Sequence, residues 1–387
     1  MRNYLFIIIF FCTLVGHRFE IMTGVSWADV FTLIQVFLLL VNWKYIKFRN
    51  DIISKFTFGY LVILIVSSLL NGTFENTVFI NIARNYTEGI IAYVALTNSL
   101  KSPKIFRFFT YLSVIFIILY LSTSRNDLIA SLEESNSYAA LDFEFGRNSF
   151  AVTNLLIIIL TTFVIYIGKL KYSKYLWVLY PVMLFNIYLS ASRFSNISLV
   201  IFTAFMLYMM KGRLTFQRIV LGGLAIIALY YVMPTIAGTL DSDVVSYGAD
   251  LLYNKLATNH DGGLFYRLYN LNYLVIVEWL EAMPVYLWLF GDGISITHGV
   301  FSFTFCCTGL VGLVYFCSTN FIMIKRFWDG TKTTNSFIAC LVLIFFLNDI
   351  VTNSRFIVGL NTLIYMGVLA YMYAYHKLLT SLNNDKP

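Results

Sequence analysis

The chain has 387 residues, of which 59% are hydrophobic and 12% are charged, and its net charge is +7. Soluble domains carry about 25% charged residues, so this composition excludes an ordinary soluble domain. Continuous apolar runs such as LLIIILTTFVIYI at 155–167 exclude a β-barrel, because barrel strands alternate apolar and polar residues.

Repeated apolar stretches of roughly 16–22 residues are each about long enough to cross a hydrocarbon core of about 30 Å. The sequence therefore predicts an all-α multi-pass membrane protein that forms a single polytopic membrane domain over residues 1–387. We predict twelve transmembrane helices, at 4–16, 27–43, 56–70, 77–97, 105–121, 148–168, 175–190, 194–210, 216–236, 299–324, 336–351 and 355–375.

The basic residues predict the orientation, because cytoplasmic loops carry an excess of Lys and Arg. With both termini in the cytoplasm, every inner loop between spans is richer in basic residues than the outer loops beside it. The longest loop, 237–298 between spans nine and ten, is then extracytoplasmic. We expect a multi-pass membrane protein with both termini in the cytoplasm.

The outer basic residues are mostly arginines, whereas the inner ones are mostly lysines. Arginine offers a planar fork of donors that matches phosphate oxygens two at a time, so the bias indicates a phosphate-bearing, lipid-linked ligand. The outer set is Arg18, Arg125, Arg147, Arg193, Lys255, Arg267 and Arg355.

Arg193 lies in the short gap between the seventh and eighth spans, where Ser192 and Ser195 can orient its guanidinium. The alternative is an interfacial anchor that reaches the lipid headgroups. Arg84 lies about two turns below the outer surface, and a charge at that depth normally faces the bundle interior or a wet cavity. The alternative for Arg84 is a structural pair with Glu88, four residues on.

The long outer loop contains an amphipathic pattern from Leu264 to about Ala282, which predicts a helix on the outer interface. Pro284 ends that pattern, and the sequence Gly291-Asp292-Gly293 predicts a turn. His298 precedes the tenth span, where an imidazole can act as a base near neutral pH or simply cap the helix. We expect Gly309 and Gly312, inside that span, to be helix-packing positions.

The chain lacks a Walker loop and a dinucleotide glycine fingerprint, and we predict neither a cofactor nor a metal site.

In this layout the chain resembles the O-antigen ligase and polymerase superfamily, which builds surface polysaccharide from undecaprenyl-diphosphate-linked sugars. The resemblance covers about 147–313 and rests on four stretches: GRNSFA (146–151), LSASR (189–193), FYRLYNLNYLVIVEWLEAMPVYLWLFGDG (265–293) and ITHGVFSFTFCCTGLVG (296–312). Gly299 follows the histidine where the family commonly has asparagine.

The resemblance implies that Arg193 and Arg267 bind the donor diphosphate and that His298 assists the acceptor hydroxyl. Arg84, Arg147 and Arg355 are further candidates for binding the diphosphate or the glycan.

The resemblance also implies a glycosyltransferase that polymerises lipid-linked repeat units into O-antigen or capsular polysaccharide by metal-independent transfer on the extracytoplasmic face. The alternatives are a ligase that moves the finished glycan onto its acceptor and a flippase for lipid-linked oligosaccharides. The expected partners are undecaprenyl-diphosphate-linked oligosaccharide, the lipid bilayer and a chain-length regulator, with no nucleic acid.

Overall fold

The computed structural model describes residues 2–22, 25–46, 51–133, 147–167, 173–189, 193–209, 268–295, 299–328, 334–352 and 359–384. Within these ranges the chain is all-α except for one short antiparallel hairpin, in which β1 (Glu20–Met22) pairs with β2 (Val25–Ser26).

The described residues up to 209 form eight α-helices, and 3₁₀ turns follow α2 and precede α7. The helices are α1 (Arg2–Gly16), α2 (Trp27–Val41), α3 (Ile52–Leu70), α4 (Thr77–Ser99), α5 (Pro103–Glu133), α6 (Arg147–Ile167), α7 (Tyr180–Leu189) and α8 (Arg193–Met209).

After residue 209 the next described range begins at Leu268. There a π-helical segment (Leu268–Leu274) continues directly into α9. The remaining helices are α9 (Val275–Ala282), α10 (Leu287–Phe290), α11 (Val300–Phe327), α12 (Thr334–Thr352) and α13 (Gly359–Asn384).

Among the described residues, three helical segments are long and apolar enough to cross a membrane: α3, residues 103–123 of α5, and α11. At 1.5 Å per residue, the 19 residues of α3 span about 28 Å, close to the thickness of a hydrocarbon core. Several other apolar helices, such as α1 and α2, are shorter. The prediction of an all-α chain with membrane-capable helices is therefore confirmed. The twelve-crossing topology stays a prediction, and its ninth span, 216–236, lies outside the described residues.

The outer surface of α2 is apolar and its inner surface carries polar groups. Leu33, Phe37 and Leu40 are each at least 60% exposed, whereas Thr32 and Gln35 are buried. A water-soluble helix has the opposite arrangement. This distribution suits a helix whose outer face meets lipid.

Buried polar side chains link neighbouring helices to one another. The Asn186 amide of α7 donates to Asn154 Oδ1 of α6 (3.0 Å), and Thr153 Oγ1 of α6 donates to Asn361 Oδ1 of α13 (2.5 Å). In a membrane, apolar side chains pack about as favourably against lipid as against another helix, so interhelical hydrogen bonds such as these help to hold the helices together.

The longest helix contact is between α4 and α13, which pack along each other at the centre of the bundle. Gly89 allows this close approach, because a side chain there would meet Thr362 and Met366 of α13 at about 3 Å. Next to this contact, the buried rings of Tyr60 and Tyr86 stack at 5.1 Å and join α3 to α4.

Capping residues fix where α3 and α4 begin. Asp51 Oδ1 accepts a hydrogen bond from the Ser54 amide (2.8 Å), and Asn76 Oδ1 accepts one from the Val78 amide (2.9 Å). The Asp51 cap explains why α3 begins four residues before the predicted span.

Helix α11 is broken at Gly309, which has φ +66° and ψ −167°. The Gly291-Asp292-Gly293 turn docks against this break. Its Asp292 and Gly293 amides donate to the carbonyl oxygens of Cys306 (2.8 Å) and Cys307 (2.9 Å). In a continuous helix, these two carbonyl oxygens would instead accept from the amides four residues further along the chain. Gly309 is therefore a helix break that receives a turn. It is also a packing glycine, as predicted, because an added Cβ would lie 2.3 Å from the backbone of Leu289 in α10.

The same turn is also tied to the end of α3. The Asn71 side-chain amide donates to the Gly291 carbonyl (2.6 Å), and Thr73 Oγ1 donates to the Asp292 carbonyl (2.9 Å). Trp279 of α9 and Leu287 of α10 pack against Phe305 of α11 nearby. The segment predicted as an interfacial helix is therefore helical over Leu268–Ala282 and packs on α11.

Candidate functional site

A cavity of about 640 Å³ lies between α2, α4 and the loop that joins α3 to α4. Its size is within the usual range for small-molecule binding sites. The walls combine an apolar surface with four charged side chains and two phenylalanines, namely Asp29, Glu75, Arg84, Glu88, Phe74 and Phe79. This cavity contains Arg84, one of the predicted site residues.

Arg84 pairs with Asp29 across the cavity. Its Nη1 lies 3.7 Å from Asp29 Oδ1, and both side chains are between one fifth and one third exposed. Asp29 also stabilises the start of α2, since its Oδ2 accepts from the Ser26 amide (2.7 Å) and from Ser26 Oγ (3.0 Å). The Asp29 carboxylate is therefore fixed in place, and it holds the guanidinium at the cavity wall.

Glu88 forms a buried pair with His17, the residue that follows α1. Glu88 Oε2 lies 3.0 Å from His17 Nε2, and the two side chains are only 2% and 5% exposed. The other carboxylate oxygen, Oε1, is buried and has no hydrogen-bond partner among the described residues. Buried polar atoms are nearly always satisfied, so an acceptor left open in a cavity wall requires an explanation.

In place of the Arg84–Glu88 pair that was the alternative for Arg84, the structure has two pairs that reach other parts of the chain. Glu88 is bonded to His17 at the end of α1, and Arg84 is paired with Asp29 on α2. The sequence placed Arg84 and Glu88 on one face of α4, which is correct, since both line the cavity. Their partners are 71 and 55 residues away along the chain, and helical spacing carries no information about contacts at such separations.

Arg18, next to His17, connects α1 to α5. Its Nη1 donates to Thr123 Oγ1, and its guanidinium carbon lies 4.7 Å from the centre of the Tyr120 ring. This member of the predicted outer arginine set therefore has a structural role as well as a charge.

Arg147 and Arg193 are the first residues of α6 and α8, and of these two arginines the structure describes only the backbone. The prediction that Arg193 stands at the junction of two helices is confirmed, since α7 ends at Leu189. Arg267, His298 and Arg355 lie outside the described residues. Arg84 is thus the one predicted site residue whose side chain is described.

More carboxylates than guanidinium groups line the cavity, namely those of Asp29, Glu75 and Glu88 against that of Arg84. Carboxylates accept hydrogen bonds from hydroxyl groups and repel phosphates. This wall is therefore better suited to the hydroxyl groups of a sugar than to a diphosphate. Among the described residues, no three His, Cys, Asp or Glu side chains gather as metal ligands.

Sequence reasoning missed His17 and Asp29 as members of the site. One signal was available. A carboxylate inside an apolar span is costly, so Glu88 needs a partner, but the sequence does not show which residue is that partner.

Comparison of the chain with protein-family models, with characterised proteins and with solved structures gives no match.

Proposed function

We propose that this protein polymerises undecaprenyl-diphosphate-linked oligosaccharide repeat units into O-antigen or capsular polysaccharide. In this proposal it lies in the bacterial cytoplasmic membrane with twelve crossings, both termini in the cytoplasm and the loop 237–298 outside. A chain-length regulator would be its protein partner. The resemblance of four sequence stretches to the O-antigen ligase and polymerase superfamily is one support.

The observation that carries the proposal is the position of the cavity. His17, Asp29 and Arg84 lie at the end of α1 and near the starts of α2 and α4, and in the proposed topology these are the extracytoplasmic ends. A large cavity at that end, with a mainly apolar wall that carries four charged side chains and an apolar surface on the neighbouring α2, suits a substrate that is a glycan carried on a lipid.

The reaction requires cationic groups that stabilise the leaving diphosphate and a group that assists the acceptor hydroxyl. An acceptor hydroxyl attacks the anomeric carbon of the donor glycan, and the bond from that carbon to the diphosphate breaks with its electron pair leaving on the diphosphate. Fixed guanidinium groups stabilise the negative charge that develops there. Arg193 and Arg267 are proposed for this role with support from Arg147 and Arg355, while Arg84 binds glycan and His298 assists the acceptor hydroxyl.

The proposal is tested with purified protein in lipid nanodiscs, given lipid-linked repeat units extracted from cells that lack the protein. We expect a ladder of products that lengthens with time and persists when EDTA is present. The long loop carries Asp241-Ser242-Asp243, two carboxylates at a spacing that can hold a divalent ion, and the EDTA reaction tests whether such an ion is needed.

Arg193→Ala and Arg267→Ala should each reduce ladder formation by about 10²–10³-fold, because each removes a donor from the developing charge. Arg107→Ala, an exposed arginine at the predicted cytoplasmic start of α5, is the matched control and should leave the ladder unchanged. Normal ladders from both site variants would contradict the arginine assignment. Transfer of a preformed glycan to a second acceptor, without a ladder, would identify a ligase instead.

A further inference from the structure

We propose that the cavity between α2 and α4 holds the acceptor glycan and that Glu88 takes the proton from its attacking hydroxyl. This assignment rests on the proposed function, because it names the acceptor side of the same glycosyl transfer. It gives the proton-accepting role to Glu88, and His298 then contributes by positioning the acceptor.

The open oxygen of Glu88 is the first argument. His17 bonds Oε2 at 3.0 Å, so one end of the carboxylate is held in a fixed orientation, while Oε1 has no hydrogen-bond partner in the part of the chain that the structure describes. The side chain is 2% exposed and lines the cavity. Because a rotation about the terminal torsion would also carry Oε2 away from His17, the acceptor hydroxyl has to reach Oε1 in place, at the part of the cavity wall that Glu88 forms.

The composition of the cavity walls is the second argument. The Phe74 and Phe79 rings lie 5.0 Å apart and offer an apolar surface to the C–H face of a sugar ring. Asp29 and Glu75 supply acceptors for hydroxyl groups, and the Arg84 fork supplies donors. The excess of carboxylates disfavours the diphosphate at this position, which leaves the acceptor glycan as the part of the substrate that fits.

The arrangement of Arg84 and Glu88 is the third argument. They are one turn apart on α4, so their side chains reach the same part of the cavity. Arg84 can hold a neighbouring hydroxyl of the acceptor sugar while the reacting hydroxyl lies at Glu88.

In the proposed step, the acceptor oxygen forms a bond to the anomeric carbon as its proton moves to Glu88 Oε1. The bond between the anomeric carbon and the diphosphate oxygen breaks, and the electron pair leaves with undecaprenyl diphosphate. Glu88 is left as a neutral carboxylic acid and returns the proton to water after the product has left the cavity. His17 acts as a positioning residue, since it orients the carboxylate without touching the substrate.

The test uses the full-length protein in nanodiscs with the extracted lipid-linked repeat unit. Glu88→Gln preserves the size of the side chain and an acceptor for His17, but it removes the base. We expect the rate constant for extension, at saturating substrate, to fall by about 10²–10⁴-fold, the usual contribution of a general base. The KM and the melting temperature should change little. Glu281→Gln, an exposed residue of α9, is the matched control and should behave as the wild type.

A second variant tests the location of the acceptor without touching the His17–Glu88 pair. Ala83 lines the cavity, and Ala83→Trp would fill part of it. We expect this variant to retain the lipid-linked unit in a binding assay but to extend it at least tenfold more slowly.

The outcomes separate the two proposals. Loss of extension in Glu88→Gln and Ala83→Trp, with donor binding and folding retained, supports the acceptor site. Ladders of wild-type length and rate from either variant overturn it and leave the proposed function standing. Absence of any ladder from the wild-type protein overturns the proposed function, and the role of Glu88 falls with it.

Discussion

Two buried carboxylates in this protein have opposite hydrogen-bonding states. Asp292, in the turn that docks on α11, accepts from the Ile294 amide (2.9 Å), the Ser295 amide (2.8 Å) and Trp279 Nε1 (3.2 Å), and also from Ser295 Oγ. Glu88, in the cavity wall, has one partner and one open oxygen. The first carboxylate is fully used by the protein itself, whereas the second has capacity left for a ligand.

This difference separates a region that maintains the fold from a region that is available for chemistry. The turn region combines backbone hydrogen bonds, a saturated carboxylate and glycines in close contact. The cavity region combines partly exposed charges with an unsatisfied acceptor. Substitutions in the turn should therefore change stability most, and substitutions in the cavity should change stability little.

The largest loss of unfolding free energy is expected for Gly309→Ala. Its φ of +66° is unfavourable for alanine, and the added methyl group would overlap the backbone of Leu289 and Phe290. We expect a loss of at least about 4 kcal/mol of unfolding free energy, at the extreme of single substitutions. The measurement is the yield and melting temperature of protein extracted in mild detergent.

Gly72→Ala is the matched control for this substitution. Gly72 has nearly the same φ, +63°, but no atom within 4 Å of an added methyl group. It should cost only about 1 kcal/mol, the strain of the backbone conformation alone. Equal melting temperatures for the two variants would show that the close contact at Gly309 is unimportant.

An intermediate effect is expected for Asp292→Ala, because it leaves the Ile294, Ser295 and Trp279 donors without their acceptor. An unsatisfied buried donor costs about 1–3 kcal/mol, and rearrangement of the turn recovers part of that, so we expect about 3 kcal/mol in total. Asp292→Asn retains one acceptor oxygen and should lose less than half as much. Thermal unfolding followed by tryptophan fluorescence measures both, and identical losses would contradict the role of the carboxylate.

The smallest effect is expected for Asp29→Asn in the cavity. It removes an ion pair whose members are partly exposed, and such pairs contribute about 0–1 kcal/mol. Asp29→Ala also removes the acceptor for Ser26 and should lose about 1 kcal/mol more. The comparison is made by thermal unfolding, and a large loss from Asp29→Asn would show that the cavity charges hold the fold together.

The sequence predicted helices well where hydrophobic length decides the outcome. Eleven predicted spans overlap described helices, and the Asp51 cap explains the earlier start of α3. Helices α5 and α13 run past their predicted ends at 121 and 375, to Glu133 and Asn384. It also placed Arg193 at a helix junction and Arg84 and Glu88 on one face.

Contacts between distant segments could not be predicted from the sequence. His17 and Glu88 are 71 residues apart, and no pattern in the sequence around either residue indicates that the two are in contact. The break at Gly309 was missed for a similar reason. The Cys306 and Cys307 carbonyls lose their helical partners there, and the amides that replace those partners belong to the distant turn at Asp292 and Gly293. A pattern of apolar residues reports how long a helix is, but not whether another segment interrupts it.

The broken helix has a consequence for biosynthesis. The Cys306 and Cys307 carbonyls, opened by the break, would be unsatisfied in lipid until the preceding turn reaches them, and such groups cost several kcal/mol each in hydrocarbon. The turn leaves the ribosome before α11 does, so it is already present when that helix partitions from the translocon. We expect residues 268–327 to enter the bilayer as one cooperative unit rather than as a span followed by later docking of its loop.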